Sequence, residues 1–288
     1  MSQPSLQTLS VDIEALLTRT NPRGMALVRG ALEPGYVLRA AQQLLACSGN
    51  ILIATGFPVA DTFETDGPAG AIALYQALES RGVTPWLLAG ASTVAALSGD
   101  FRCKLINRVD DFNPENGAEQ LIDRLRPSCI IAIERPGAAV DGRFYNIRGV
   151  DISERCRPFE PYIQAASCPF IAIGDGGNEI GMGKAGPILE QLDIRPAAQG
   201  CDELIAADVS NWGAYALVAM MDTIDTRPAL SELNPSQLLV DLVAAGAVDG
   251  VTHRAEATED GLAPGSGELL VDALRDLTQH FEQQSRQP

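Results

Sequence analysis

Ile171-Ala-Ile-Gly-Asp-Gly-Gly-Asn-Glu-Ile-Gly-Met-Gly183 decides how this chain is to be read. The apolar run at 170–173 predicts a strand buried on both faces. It leads directly into a loop with glycines at 174, 176, 177, 181 and 183, and with Asp175, Asn178 and Glu179 set among them. Glycine is costly to order and adds no packing, so this density predicts positive φ angles or a close approach of the backbone to a bound group. Two carboxylates and an amide are hard oxygen donors, suited to magnesium, manganese or calcium. The plainer alternative is a tight strand-to-helix connection with solvated acids. The loop's place at a strand's C-terminal end, where open α/β sheets bind ligands, favours a site.

Outward from this loop the pattern repeats. Apolar runs at Asn50–Thr55, Thr84–Ala89, Cys129–Ile133 and 204–208 predict further strands, and helical patterns fall at 69–79, 92–97 and about 211–224. Apolar strands separated by helices predict an α/β fold, with a mostly parallel central sheet and helices on both faces, in a Rossmann-like three-layer sandwich. There is no internal repeat, low-complexity linker or shift in composition, so residues 1–288 are expected to form a single domain. The segment Leu6–Leu17 and the helices after Pro235 and Gly267 are expected to pack onto that core.

The net charge of −16 argues against a nucleic-acid backbone or an anionic membrane as partner. With 46% hydrophobic residues the 288-residue chain can bury a sizeable core, yet no apolar stretch approaches the roughly 20 residues of a membrane span. The first residues show neither a basic nor an apolar signal region. The six cysteines form no Cys-x-x-Cys pair, so reduced thiols and a cytoplasmic location are expected. A small-molecule substrate is the expected partner, and a homo-oligomer is compatible with the sequence.

Polar and glycine residues concentrate after the apolar strands. Thr55-Gly-Phe-Pro58 and Glu64-Thr-Asp-Gly-Pro-Ala-Gly-Ala71 follow the first strand. Glu64 and Asp66 are two apart, so an extended segment points both carboxylates the same way, although Asp66 also suits a helix cap before Pro68. Glu134 ends a wholly apolar strand and must be solvated, paired or bound to a cation. Arg135, Arg143 and Arg148 lie around the following loops and can grip carboxylates in a bidentate fork, or merely pair with Glu134. Ser210 or Asn211 opens the last inner helix, by default as its N-cap.

Other chemistries are poorly supplied. Gly181-Met-Gly-Lys-Ala-Gly186 fits G-x-G-x-x-G but lies seven residues beyond the strand end, and Lys184 is followed by Ala185, which breaks the P-loop pattern. There is no G-x-S-x-G, and the histidines are His253 and His280 alone. Carboxylate chemistry remains, with or without a hard cation. Asp66, Glu134 and Asp175 are the candidate catalytic residues. Glu64, Asp66, Glu134, Asp175 and Glu179 are the candidate metal ligands. Thr55, Arg135, Arg148, Asn178 and Asn211 are the candidate substrate contacts.

Six segments together resemble the D-glutamate cyclase C-terminal-domain family. They are Ala54-Thr-Gly-Phe-Pro58, Glu64 to Ala71, Glu134-Arg-Pro-Gly137, Tyr145-Asn-Ile-Arg-Gly-Val-Asp-Ile-Ser153, the 173–183 loop, and Ser210-Asn-Trp-Gly-Ala-Tyr-Ala-Leu217. Lys184 stands where asparagine is expected, and Phe144 where tyrosine is usual. The resemblance implies a hydro-lyase that interconverts D-glutamate and 5-oxo-D-proline with loss or gain of water. A divalent cation (manganese or magnesium, with calcium also admitted) held by those acids would neutralise the substrate's side-chain carboxylate. Arg135 or Arg148 would hold the α-carboxylate. Two other classes stay open: a metal-dependent hydrolase of a small phosphorylated or lactam substrate, and a non-catalytic amino-acid-binding module.

Overall fold

The apolar runs form strands in a computed structural model of the protein, which describes residues 5–106 and 114–285. The first is β1 (Asn50–Thr55). A separate hairpin of β2 (Pro58–Val59) and β3 (Thr62–Phe63) follows it. The main sheet continues with β4 (Thr84–Ala89), β5 (Cys103–Leu105), β6 (Cys129–Ile133), β7 (Phe170–Gly174) and β8 (Glu203–Ala206). Its order is β5-β4-β1-β6-β7-β8 with every pairing parallel. Every residue of β6 and β7 is buried, as strands covered on both faces require.

Helices surround the sheet in a three-layer α/β architecture. They are α1 (Leu6–Leu17), α2 (Met25–Ala31), α3 (Tyr36–Leu45), α4 (Pro68–Glu79), α5 (Ala91–Leu97), α6 (Pro114–Leu125), α7 (Glu160–Ala165), α8 (Ser210–Asp225), α9 (Ala229–Glu232), α10 (Pro235–Ala244) and α11 (Ser266–Ser285). Helix α8 is the central one: Ser210 to Asp222 are all buried, and it packs against α3, α4, α11 and the sheet. Leu17, Leu44, Leu52, Ile53 and Leu74 are among the fully buried side chains of one continuous core. Each such side chain contributes about 1.5–3 kcal/mol relative to exposure.

Three details differ from the sequence expectations. Strand β8 ends at Ala206 rather than at 208, because Asp208 turns away to accept hydrogen bonds from the N–H groups of Thr20 and Asn21 and from the Thr20 hydroxyl, at 2.6–3.1 Å. Helices α2, α3, α6, α7 and α9, the β2–β3 hairpin and edge strand β5 are additional to the predicted elements. The 181–186 glycine motif runs into 3₁₀ turns over Gly183–Gln191, broken at Gly186. There Lys184 Nζ donates to the Asp202 carbonyl. Among the described residues no helix is long and apolar enough to cross a membrane, and the six cysteines are free.

The strand order places a switch point between β1 and β6. From β1 the chain builds outward through β4 to β5, then returns to lay β6 on β1's other side. Loops leaving the C-terminal ends of β1 and β6 therefore diverge and leave a crevice, the place where such sheets bind ligands.

Candidate active site

Acids fill this crevice. Glu64, Glu134, Asp175, Glu179 and Asp260 line one cavity of about 110 Å³, room for several waters or a small metabolite. Asp66 lies beside them, with one carboxylate oxygen in mutual reach of Asp175 and Asp260, all within 4.8 Å. Glu134, Asp175 and Glu179 form a second group within the same limit. Asp175 belongs to both.

Each acid is held by its own local structure. Asp66 Oδ1 accepts from the N–H groups of Gly67 (2.8 Å) and Asn211 (2.7 Å), and Oδ2 from Ser210 N–H at 2.9 Å. It thus caps α8 while leaving a lone pair on Oδ2. Glu134 Oε2 accepts the Ser210 hydroxyl at 2.5 Å. Glu179 folds back along its loop to accept Gly176 N–H at 2.9 Å and Gly177 N–H at 2.7 Å, a return that Gly177 permits with φ of 96°. Asp175 Oδ1 pairs with Arg23 Nη1 at 2.5 Å, and Arg23 Nη2 reaches Asp260 at 2.9 Å. Oδ2 of Asp175 and Oδ2 of Asp260 are buried and accept from no N–H or hydroxyl. The two carboxyls lie within hydrogen-bonding reach of each other, so that a shared proton is the one donor the fold offers them.

So many carboxyls around one guanidinium cannot all ionise unaided. Burial pushes Asp66 and Asp175 up to about 8, with neighbouring acids adding to the effect and Arg23 opposing it at Asp175. Burial and the surrounding carboxylates hold Glu64, Glu134 and Asp260 well above the usual range, and burial raises Glu179. Burial works against the charge of Arg23, yet Asp175 and Asp260 hold its pKa above the ordinary arginine value. The backbone is unusual here as well. Ala60, Glu134, His253 and Asp260 all line the cavity and all have φ between 46° and 57°, a conformation that non-glycine residues keep only where the surroundings enforce it.

The expected residues divide accordingly. Glu64, Asp66, Glu134, Asp175 and Glu179 come together. Thr55 is fully buried and its hydroxyl has no partner. Asn178 and the exposed Arg148 line the cavity, Asn178 donating to the Tyr145 carbonyl at 2.9 Å. Asn211 is occupied elsewhere: its Oδ1 accepts Gly67 and Gly70 N–H, and its Nδ2 donates to Glu259 at 2.8 Å. It thus caps α4 rather than α8, whose N-cap is Val209, so the expected N-cap role of Ser210 or Asn211 is not met, and its amide is used up within the fold. Arg135 lies outside the acid cavity, its Nη1 on the Gly56 carbonyl at 3.1 Å and its Nη2 on that of Arg157. Neither Arg135 nor Asn211 lines the acid pocket. Three contributors lay outside the sequence reading: Arg23, Asp260 and Gly250, whose missing side chain makes room for the Glu64 carboxylate. The Glu259-Asp260-Gly261 turn, with paired acids before a glycine, was the available signal.

A Rossmann-ordered sheet with buried carboxyls at its switch point defines an α/β protein with an acid centre scaled to a small molecule. The family model described as D-glutamate cyclase-like, C-terminal, matches residues 13–275, and the chain belongs to that family. It is 32% identical over 214 residues to the mitochondrial D-glutamate cyclase of Homo sapiens, a match covering 64% of this chain and 34% of that relative. The shared region is thus about a third of the human protein's length. An exopolyphosphatase-related protein from Bacteroides fragilis superposes with a TM-score of 0.45 at 11% identity, covering 88% of this chain and 61% of that one. At that distance it bears on neither fold nor chemistry.

Proposed function

We propose that the protein interconverts D-glutamate and 5-oxo-D-proline plus water, with a divalent cation held among Glu64, Asp66, Glu134, Asp175, Glu179 and Asp260. The observation that carries this reading is the meeting of those acids in one crevice, with Asp175 Oδ2 and Asp260 Oδ2 accepting from no N–H or hydroxyl, in a chain of the cyclase-like family. A buried carboxylate oxygen without a donor is costly, and a hard cation such as manganese or magnesium satisfies several such atoms at once. Bound there, the cation supplies charge neutralisation to the substrate's side-chain carboxylate and to the negative charge that develops on its oxygen.

The protein's own groups move the protons. Glu134 is fixed by the Ser210 hydroxyl and by its left-handed backbone. Burial and the surrounding carboxylates otherwise keep it protonated; with their charge offset by the cation it is ionised, takes a proton from the substrate ammonium and frees the lone pair. The nitrogen attacks the side-chain carboxyl carbon, a C–N bond forms, and a C–O bond breaks. Both protons shed by nitrogen depart with that oxygen as water, Glu134 returning the one it accepted. Hydrolysis of the lactam runs the same steps backward. Asp66 keeps the start of α8, and with it Ser210, against Glu134. Arg148 at the rim offers a guanidinium to the α-carboxylate.

The test is incubation of purified protein with D- and L-5-oxoproline and manganese or magnesium, followed by chiral amino-acid analysis. D-Glutamate from the D-lactam, with the L-lactam much poorer, is expected. Turnover of a phosphate ester with neither lactam consumed would replace the cyclase reading by the hydrolase one. Binding without any turnover would favour the amino-acid-binding module.

A further inference from the structure

Beside the acid pocket lies a second cavity of about 310 Å³ with the opposite chemistry. It is bounded by the β2–β3 hairpin, by Ser92 and Thr93, and by Arg135, Arg155 and Arg157. Pro58, Ala60 and Arg155 line both cavities, so the hairpin and Arg155 form the wall between them.

Arg135 is the unusual member. It is 3% exposed, and its two Nη atoms donate to neutral carbonyls, of Gly56 and Arg157. Its Nε is buried without an acceptor. Among the described residues no carboxylate forms an ion pair with it, although acids outnumber bases by 37 to 21 in this chain. A buried guanidinium whose charge is uncompensated is strongly unfavourable. Burial indeed draws its pKa below the usual arginine range. Carbonyl partners satisfy two of its five N–H donors and leave the charge. Glu160 offsets part of this charge from a distance without forming an ion pair, while Arg157 opposes it. Arg155 and Arg157 line the cavity, and among the described residues the exposed Asp61 is its one acid.

We propose that this second cavity is an oxyanion-binding site, taking the phosphate or carboxylate group of a small molecule on Arg135, Arg155 and Arg157. An oxyanion in the cavity sets a negative charge against the buried Arg135 guanidinium that lines it and takes charge-assisted hydrogen bonds from the arginines there. The site is distinct from the acid pocket, whose carboxyls repel such a group unless a cation intervenes. The inference stands whether or not the cyclase reading holds, because it rests on binding alone.

The test is titration of inorganic phosphate into the full chain at constant ionic strength, followed by calorimetry and melting temperature, with citrate and acetate as carboxylate arms. Saturable binding with a rise in melting temperature is expected. The arm that binds more tightly identifies the group. Replacing Arg155 and Arg157 together with alanine should weaken binding by about tenfold or more. Arg135→Lys should do the same, since ammonium lacks the planar fork. If Arg135→Lys does not fold, the exposed Arg155 and half-buried Arg157 pair still decides the matter. An unchanged affinity in the Arg155/Arg157 variant overturns the proposal. So does the absence of any saturable response to the three anions. Loss of phosphate binding in Asp175→Asn, with the arginine variant unaffected, would place the anion in the acid pocket instead.

Discussion

Gly250→Ala probes the acid centre without changing its charge. A Cβ at this position falls 1.9 Å from Glu64 Oε2 and 3.1 Å from its Cδ. Those atoms are the far end of a flexible side chain, and the Gly250 backbone is outside the left-handed region, so the fold can accept the methyl group. The carboxylate must then retreat by at least about 1 Å, a displacement that in an active site costs on the order of 10²-fold in rate. Global stability should change by about 1 kcal/mol or less, a shift of about 2 °C at most for a chain of 288 residues. The assay is D-glutamate formation from 5-oxo-D-proline over a manganese titration, with melting temperature measured on the same samples. A folded variant with unchanged kcat/KM and an unchanged manganese midpoint would refute the reasoning and remove Glu64 from the reacting group.

Four further outcomes are expected. Glu134→Gln should retain a hydrogen-bond partner for Ser210 and lose about 10²–10⁴-fold in turnover; near-normal kinetics would demote Glu134 to a structural role. Manganese at 100 times its Kd should stabilise the wild type by about 2.7 kcal/mol, and thermal melts should show that gain largely missing in Asp175→Asn. Asp66→Ala should cost about 0.5–2 kcal/mol in urea unfolding because α8 loses its cap, in addition to any loss of activity; unaltered stability would contradict the capping role. In chelator, a folded-state pKa of about 8 at Asp175 means that the native state holds a proton there that the unfolded chain releases near pH 4. This contribution to stability is complete below about pH 4 and is lost as pH rises toward 8. The wild-type melting temperature should therefore fall more steeply over that window than that of Asp175→Asn; equal slopes would count against a protonated Asp175.

The sheet was legible because its inner strands are buried on both faces and read as unbroken apolar runs. Strand β5 was not, since three residues at an edge, one of them Lys104, leave no period to detect. The five acids after β1, β6 and β7 were legible from their place at strand ends. Arg23 and Asp260 enter from segments that belong to no strand end, and only the tertiary fold brings them across. Arg135 shows the limit of adjacency. It follows Glu134 directly, but the left-handed turn at Glu134 and the alternation of neighbouring side chains send the two into different cavities. Asp66 was read as a cap for the helix at Pro68, but it caps α8 instead, across the fold, and α4 begins at Gly67, which has no side chain of its own to cap it.

The ion pairs of Arg23 have a consequence for how the molecule is made. Arg23 meets Asp175 and Asp260 across separations of 152 and 237 positions. Contacts so distant along the chain are closed late, after nearer pairings have repaid part of the entropy of ordering. During synthesis the strands through β8 emerge before Asp260 does, so the mutually repelling acids acquire their last member only when the sheet can already be complete. The cation proposed for this centre would thus meet a nearly finished scaffold. Such an ion would tighten a fold whose core forms without it, unlike the small domains in which the metal itself nucleates folding.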